Sequence, residues 1–129
     1  MNEMDKIAKQ VVDSAFAVHS KLGPGQLESA YEACLVHELI NRGFSVVAQK
    51  VQRVSYRGPS LEFGCRLDLV VNDLIVIELK AVEALLPIHK AQLMTDLKLS
   101  KKSLGFLINF NVPLIKDGIK RIANQFSKT

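Results

Sequence analysis

An α/β sandwich with a mixed sheet is the fold class that this sequence predicts, and three observations predict it. Apolar residues recur with helical spacing before Gly43, and β-branched and aromatic residues dominate from Phe44 to Val82. A proline-started helical stretch and one short apolar run then complete the chain. The expected order is helix, helix, three strands, helix, strand.

Ile7, Val11, Ala15 and Val18 make the stripe of an amphipathic helix from Met4 to about Ser20. KLGPGQ ends it, since two glycines around a proline do not continue a helix. A second helix, from about Leu27 to Arg42, carries Leu27, Tyr31, Cys34, Leu35 and Leu39 as its apolar stripe, with Gly43 as its C-terminal cap. FSVVAQKVQRVSYRG reads as a strand, bent or bulged, that stops at the turn signal RGPS. LEFGCRLDLVV and LIVIELKAV follow as two more strands joined around Asn72 and Asp73, which completes an antiparallel meander. Pro87 suits the first turn of a helix, where its missing N–H is harmless, and this helix should run from about Ile88 to Ser100. LGFLINF, residues 104–110, reads as a buried strand, and PLIKDGIKRIANQF as either a final strand or a short helix.

The 129 residues and their 48% hydrophobic content suit one domain, residues 1–129, around a single core. A net charge of +4, from 17 basic and 13 acidic residues, is compatible with a polyanionic partner. Cys34 and Cys65 lack the close spacing and companion histidines of a zinc site, so buried free thiols in a reducing cytosol are expected. MNEMDKIAKQ is polar and mixed in charge, unlike a signal peptide, and no apolar run approaches the ~20 residues of a membrane span. A cytoplasmic protein, away from membranes, is the expectation. The chain has no G-x-x-x-x-G-K loop, which argues against a nucleotide triphosphatase.

Charge parity singles out one hairpin. Leu67, Leu69 and Val71, then Ile75, Ile77 and Leu79, place aliphatic side chains at odd positions, whereas Asp68, Glu78 and Lys80 are even. Glu78 and Lys80 therefore share a strand face, roughly 7 Å apart. Directly opposed residues of an antiparallel pair point to the same face. A two-residue turn at Asn72 and Asp73 would pair Asp68 with Ile77, whereas a three-residue loop or a bulge would bring Asp68 beside Glu78. Two carboxylates with the backbone carbonyl of Leu79 would make a hard-oxygen site for Mg²⁺ or Mn²⁺, with Lys80 orienting water or stabilising developing charge. The plainer reading is a solvated salt bridge on an exposed strand face.

RLDLVV followed by IELK resembles the D…(D/E)xK signature of the PD-(D/E)XK nuclease superfamily, with Asp68, Glu78 and Lys80 at the signature positions. GQLESAY, Gly25 to Tyr31, is similar to the motif of a small group within it, the GxxExxY proteins, and the likeness extends through LGFLINF and DGIKR. The resemblance implies a restriction-endonuclease-like fold, a mixed β-sheet flanked by helices in the order ααβββαβ. It also implies that Glu28 reaches the metal site from the helical layer, so that Asp68, Glu78, Leu79 and Glu28 form the metal set. Tyr31 neighbours Glu28 on the helix surface but also completes the apolar stripe.

Gln92 resembles the glutamine that borders the active site in RecB-like members, where a tyrosine commonly follows four residues later. Asp96 stands in that place here, a departure that either adds a carboxylate near the metal or repels phosphate. Gln92 and Asp96 share a helix face with His89. Gln49 and Arg66 are further substrate-binding candidates with Tyr31 and Asp96. Lys90, Lys98, Lys101, Lys102, Lys116, Lys120 and Arg121 would suit a rim that tracks phosphates.

The function implied is a Mg²⁺- or Mn²⁺-dependent nuclease, a phosphodiesterase acting on nucleic acid, DNA foremost, with Asp68, Glu78, Lys80, Glu28 and Gln92 as its catalytic set. The alternatives are a catalytically silent module on the same fold that binds nucleic acid or protein, and a hydrolase of a small phosphorylated substrate. Small members of the superfamily work as dimers or with partner domains, so a homodimer or a partner protein is also expected.

Overall fold

A computed structural model describes residues 2–59 and 61–125. Helix α1, Glu3–Leu22, begins where the Asn2 side chain accepts the Asp5 N–H at 2.8 Å, and it ends at Gly23, whose φ of 65° suits glycine. Its stripe of Ile7, Val11, Ala15 and Val18 is buried. Helix α2, Glu28–Asn41, buries Tyr31, Leu35 and Leu39. Leu27 is its N-cap, outside the stripe, and is 76% exposed. Cys34 is also exposed and Cys65 half-buried, so both thiols are free but neither is buried as expected.

Strands β1 (Val46–Ser55), β2 (Glu62–Val71) and β3 (Ile75–Lys80) form the antiparallel meander. Helix α3 (Pro87–Ser100) then crosses over so that β4 (Leu104–Asn109) runs parallel to β3. The tail contains both elements left open by its sequence, a 3-10 turn at Ile115–Gly118 and β5 at Ile119–Ala123, antiparallel to β4. The sheet order is β1-β2-β3-β4-β5, a mixed sheet flanked by helices on both faces. Helices α1 and α2 cover Leu69, Val71, Ile75, Ile77 and Leu79 on one face, while Leu93 and Leu97 of α3 cover Leu67, Val70, Val76 and Leu107 on the other.

Gly105 sets how closely α3 lies on the sheet. A Cβ there would come within 3.1 Å of the Leu93 side chain and 3.2 Å of Leu97, so glycine lets the helix sit directly on β4. The polar face of α3 is thereby held against the end of β3.

The register settles the turn question. Leu69 pairs with Ile77 and Val71 with Ile75, which leaves Asn72, Asp73 and Leu74 as a three-residue loop and places Asp68 opposite Glu78. Asn72 and Asp73 take φ of 49° and 56°, the left-handed region that these two residue types tolerate. The parity of β2 itself is broken, however. Leu67 packs under α3 whereas Leu69 and Val71 face α1 and α2, so the strand changes phase at Asp68. Opposite Asp68, Gln49 adopts a φ of 54°, and the β1–β2 ladder passes from Ala48–Leu69 to Lys50–Leu67 without that pair. The bend expected in β1 lies there, and such irregularities re-aim side chains.

Candidate functional site

Asp68 stands at the break in β2. Its Oδ2 accepts the Leu79 N–H at 2.9 Å, just beyond the end of the β2–β3 ladder, and the residue is buried. The carboxylate thus occupies the seam where β2 and β3 part. Leu79 sends its side chain into the α1/α2 core, so only its backbone borders Asp68.

Glu78 points the other way, toward α3. Glu78, Lys80, His89, Gln92, Leu93 and Asp96 line one cleft of about 210 Å³. Among the described residues neither Glu78 nor Lys80 enters a salt bridge, which removes the reading of a simple surface pair. Glu78 Oε1 is buried and has no hydrogen-bond partner among the described residues. Burial, then the charges and contact of Asp68 and the charge of Asp96, push the Glu78 carboxyl up to about 9. Burial and Asp68 also raise Asp96, with Lys80 opposing them. Glu28, on the exposed first turn of α2, is raised by burial and by Asp68 and lowered by Lys80 and Arg66. Asp68 is thus the carboxylate whose charge is felt from both sides of the sheet.

A sequence profile of the PD-(D/E)XK nuclease superfamily matches residues 5–122. The chain belongs to that superfamily. No curated protein and no solved structure matches it.

Of the residues read from the PD-(D/E)XK signature, Glu78 and Lys80 share the cleft with Gln92 and Asp96, Asp68 lies opposite Glu78, and Glu28 approaches from α2. Gln49 is exposed and donates to Glu32 of α2, while Arg66 is exposed and close enough to Glu28 to influence its charge. Tyr31 does not reach the surface. It is fully buried, stacks on Phe110 with ring centroids 4.6 Å apart, donates its hydroxyl to the Gly23 carbonyl and accepts the Gln26 N–H at 3.1 Å. Its bearing on the site is to shape the loop that delivers Glu28. Tyr31→Phe is expected to cost about 1 kcal/mol, the worth of these hydrogen bonds, in urea denaturation; an unchanged midpoint would remove that role.

The expected basic rim divides. Helix α3 runs from the end of β3 to the start of β4, so Lys90 lies at the cleft end while Lys98, Lys101 and Lys102 lie at the opposite end. Lys102 pairs there with Asp73 at 3.1 Å, and Arg121 pairs with Asp5 of α1 at 3.3 Å.

Two supporting residues escaped the sequence reading. Asn109, 1% exposed, accepts the N–H groups of Val82 and Asn111 and donates to the Val82 carbonyl. Asn111 accepts the Gly25 N–H at 3.1 Å. Together they tie the chain leaving β3 to the loop ahead of Glu28. The available signal was two amides at the end of an apolar run, since a buried amide must find partners. No group of three or more His, Cys, Asp or Glu side chains that could hold a metal ion occurs among the described residues. Among those residues no helix is long and apolar enough to cross a membrane.

Proposed function

We propose that this protein is a divalent-metal-dependent phosphodiesterase that hydrolyses nucleic acid, DNA foremost, and that within its superfamily it stands with the GxxExxY proteins. The observation that carries the reading is Glu78 Oε1, a buried carboxyl oxygen without a hydrogen-bond partner among the described residues, opposite a second buried carboxylate, Asp68. Two such charges side by side are costly unless a proton or a cation joins them, and a cation can displace the proton that the raised Glu78 carboxyl holds. Asp68, Glu78 and the backbone carbonyl of Leu79 supply hard oxygens, and Mg²⁺ commonly takes only one or two carboxylates beside its waters, so the donor set fits. Bound there, Mg²⁺ or Mn²⁺ would polarise a phosphoryl oxygen and acidify a water.

The chain's own residues do the rest. Lys80 carries the positive charge beside the two carboxylates, placed to orient the attacking water and to offset charge growing on phosphorus-bound oxygens. Glu28 accepts a hydrogen bond from a water at the α2 rim, and Gln92 orients the phosphodiester from α3. Arg66 and Gln49 extend the contact surface along β2 and β1. Asp96 either adds a carboxylate to the cation site or tempers phosphate affinity. A cleft of about 210 Å³ is smaller than the roughly 300–1,000 Å³ that encloses a small ligand, which disfavours a small phosphorylated substrate.

Labelled single- and double-stranded DNA and RNA, incubated with Mn²⁺ or Mg²⁺, test this reading. Cleavage should vanish in EDTA and fall about 10²-fold in Lys80→Ala, with Mn²⁺ affinity retained. Cleavage indifferent to EDTA or to the variant refutes it. The second reading, a silent module that binds nucleic acid or protein, is favoured by the lack of a three-ligand cluster among the described residues. It requires binding without cleavage, equal with and without metal.

A further inference from the structure

His89 lies in the first turn of α3 and lines the cleft with Glu78, Lys80, Gln92 and Asp96. Its Nδ1 is already committed, because the Leu86 N–H donates to it at 3.0 Å, closing the start of the helix. A ring nitrogen that accepts an N–H carries no proton, so the neutral ring bears its proton on Nε2. Among the described residues Nε2 has no protein partner. Turning the ring over would put carbon where Nδ1 sits and lose the cap, so the tautomer and the orientation are fixed together.

Two roles are thereby closed. A protonated Nε2 has no lone pair for a metal ion, and a neutral imidazole donating from Nε2 is a poor source of a proton. The role left is that of a hydrogen-bond donor whose acceptor must come from outside the chain. Two carboxylates, Glu78 and Asp96, line the cleft with three donors, Lys80, Gln92 and His89, and Asp68 lies opposite Glu78 in the sheet; a cation held by the carboxylates would leave the donors facing an anion.

We infer that His89 Nε2–H is a substrate-binding donor to a non-bridging oxygen of the phosphodiester, held in that tautomer by the Leu86 cap. This rests on the phosphodiesterase reading above. It adds a recognition residue to α3 one turn before Gln92.

Imidazole ¹⁵N spectra of the full chain test it, with the His89 resonances identified by their loss in His89→Gln, which retains a side-chain acceptor for the cap. The expected result is an unprotonated Nδ1 and a protonated Nε2, and an Nε2–H resonance that moves when a short DNA duplex is added with Ca²⁺ in place of Mg²⁺. An Nδ1–H tautomer or an imidazolium overturns the proposal, as does an Nε2 resonance that responds neither to the duplex nor to inorganic phosphate. A response to inorganic phosphate but not to the duplex overturns it too, since the acceptor proposed is a phosphodiester oxygen. His89→Ala should weaken duplex binding about tenfold, the worth of one charge-assisted hydrogen bond, and an unchanged affinity also overturns it.

Discussion

Glu78→Gln is expected to stabilise the metal-free protein by about 1–3 kcal/mol at pH 8 while lowering metal-dependent cleavage about 10³-fold. In the folded chain the Glu78 carboxyl is pushed up to about 9 by burial and by Asp68 and Asp96. In the unfolded chain it titrates at its ordinary value near 4.5. Between those two values the folded state holds a proton that the unfolded state has released, so stability is full below pH 4.5 and declines as the pH rises toward 9. Glutamine has no such proton and no charge. The variant should therefore match wild type near pH 4.5 and pull ahead with rising pH.

Urea denaturation in EDTA at pH 5, 6.5 and 8 reads this directly, and a difference that stays flat or shrinks with pH would refute it. Mn²⁺ added at 100 times its dissociation constant should stabilise wild type by about 2.7 kcal/mol and leave the variant nearly unmoved. The two halves of the prediction have one cause. The unpaired Glu78 oxygen that weakens the free protein is the group through which a cation would be held.

What could be read from sequence follows from which interactions are local. Side-chain parity along two strands narrowed the connection after Val71 to a three-residue loop or a bulge, and the loop is what forms, with Asn72 and Asp73 meeting the φ it demands. The reversal of Leu67 was not deducible, because an unbroken alternation of aliphatic residues carries no mark of a change of phase at Asp68. It coincides with a left-handed backbone at Gln49, nineteen positions before Asp68 and opposite it in the sheet. The stripe of α2 misplaced Leu27 and Cys34 because helical spacing gives a face but not the width of the neighbouring helix that covers it. The convergence of Glu78, Lys80, Gln92 and Asp96 followed from parity on β3 and turn spacing on α3 once the two elements were adjacent, and that adjacency came from the family resemblance. The division of the basic rim was hidden for a related reason, since charges counted along a chain say nothing about which end of a helix they occupy.

Asn109→Ala is expected to cost about 3 kcal/mol, the largest loss of stability from any single polar group near the site. Three hydrogen bonds depend on its amide: from the Val82 N–H at 3.1 Å, from the Asn111 N–H at 3.2 Å, and to the Val82 carbonyl at 2.9 Å. Truncation leaves those backbone groups without that partner beside a residue only 1% exposed. The strand cannot shift to recover them, because the Asn109 carbonyl lies so close to Gly118 that no Cβ would fit there. The damage should reach function as well. Val82 is two residues beyond Lys80, and Asn111 holds the Gly25 N–H ahead of Glu28, so one amide sets both approaches to the cleft. Asn109→Asp sharpens the test, since its oxygens still accept from both N–H groups but a carboxylate then faces the Val82 carbonyl. That variant should recover stability as the pH falls and the carboxyl gains a proton to donate, whereas the alanine variant should show no such recovery. Urea denaturation of both at pH 4.5 and 7.5 decides the matter. A loss below about 1 kcal/mol in Asn109→Ala would mean that water replaces the amide, and that the loops around the cleft are held by the Tyr31 and Phe110 stack instead.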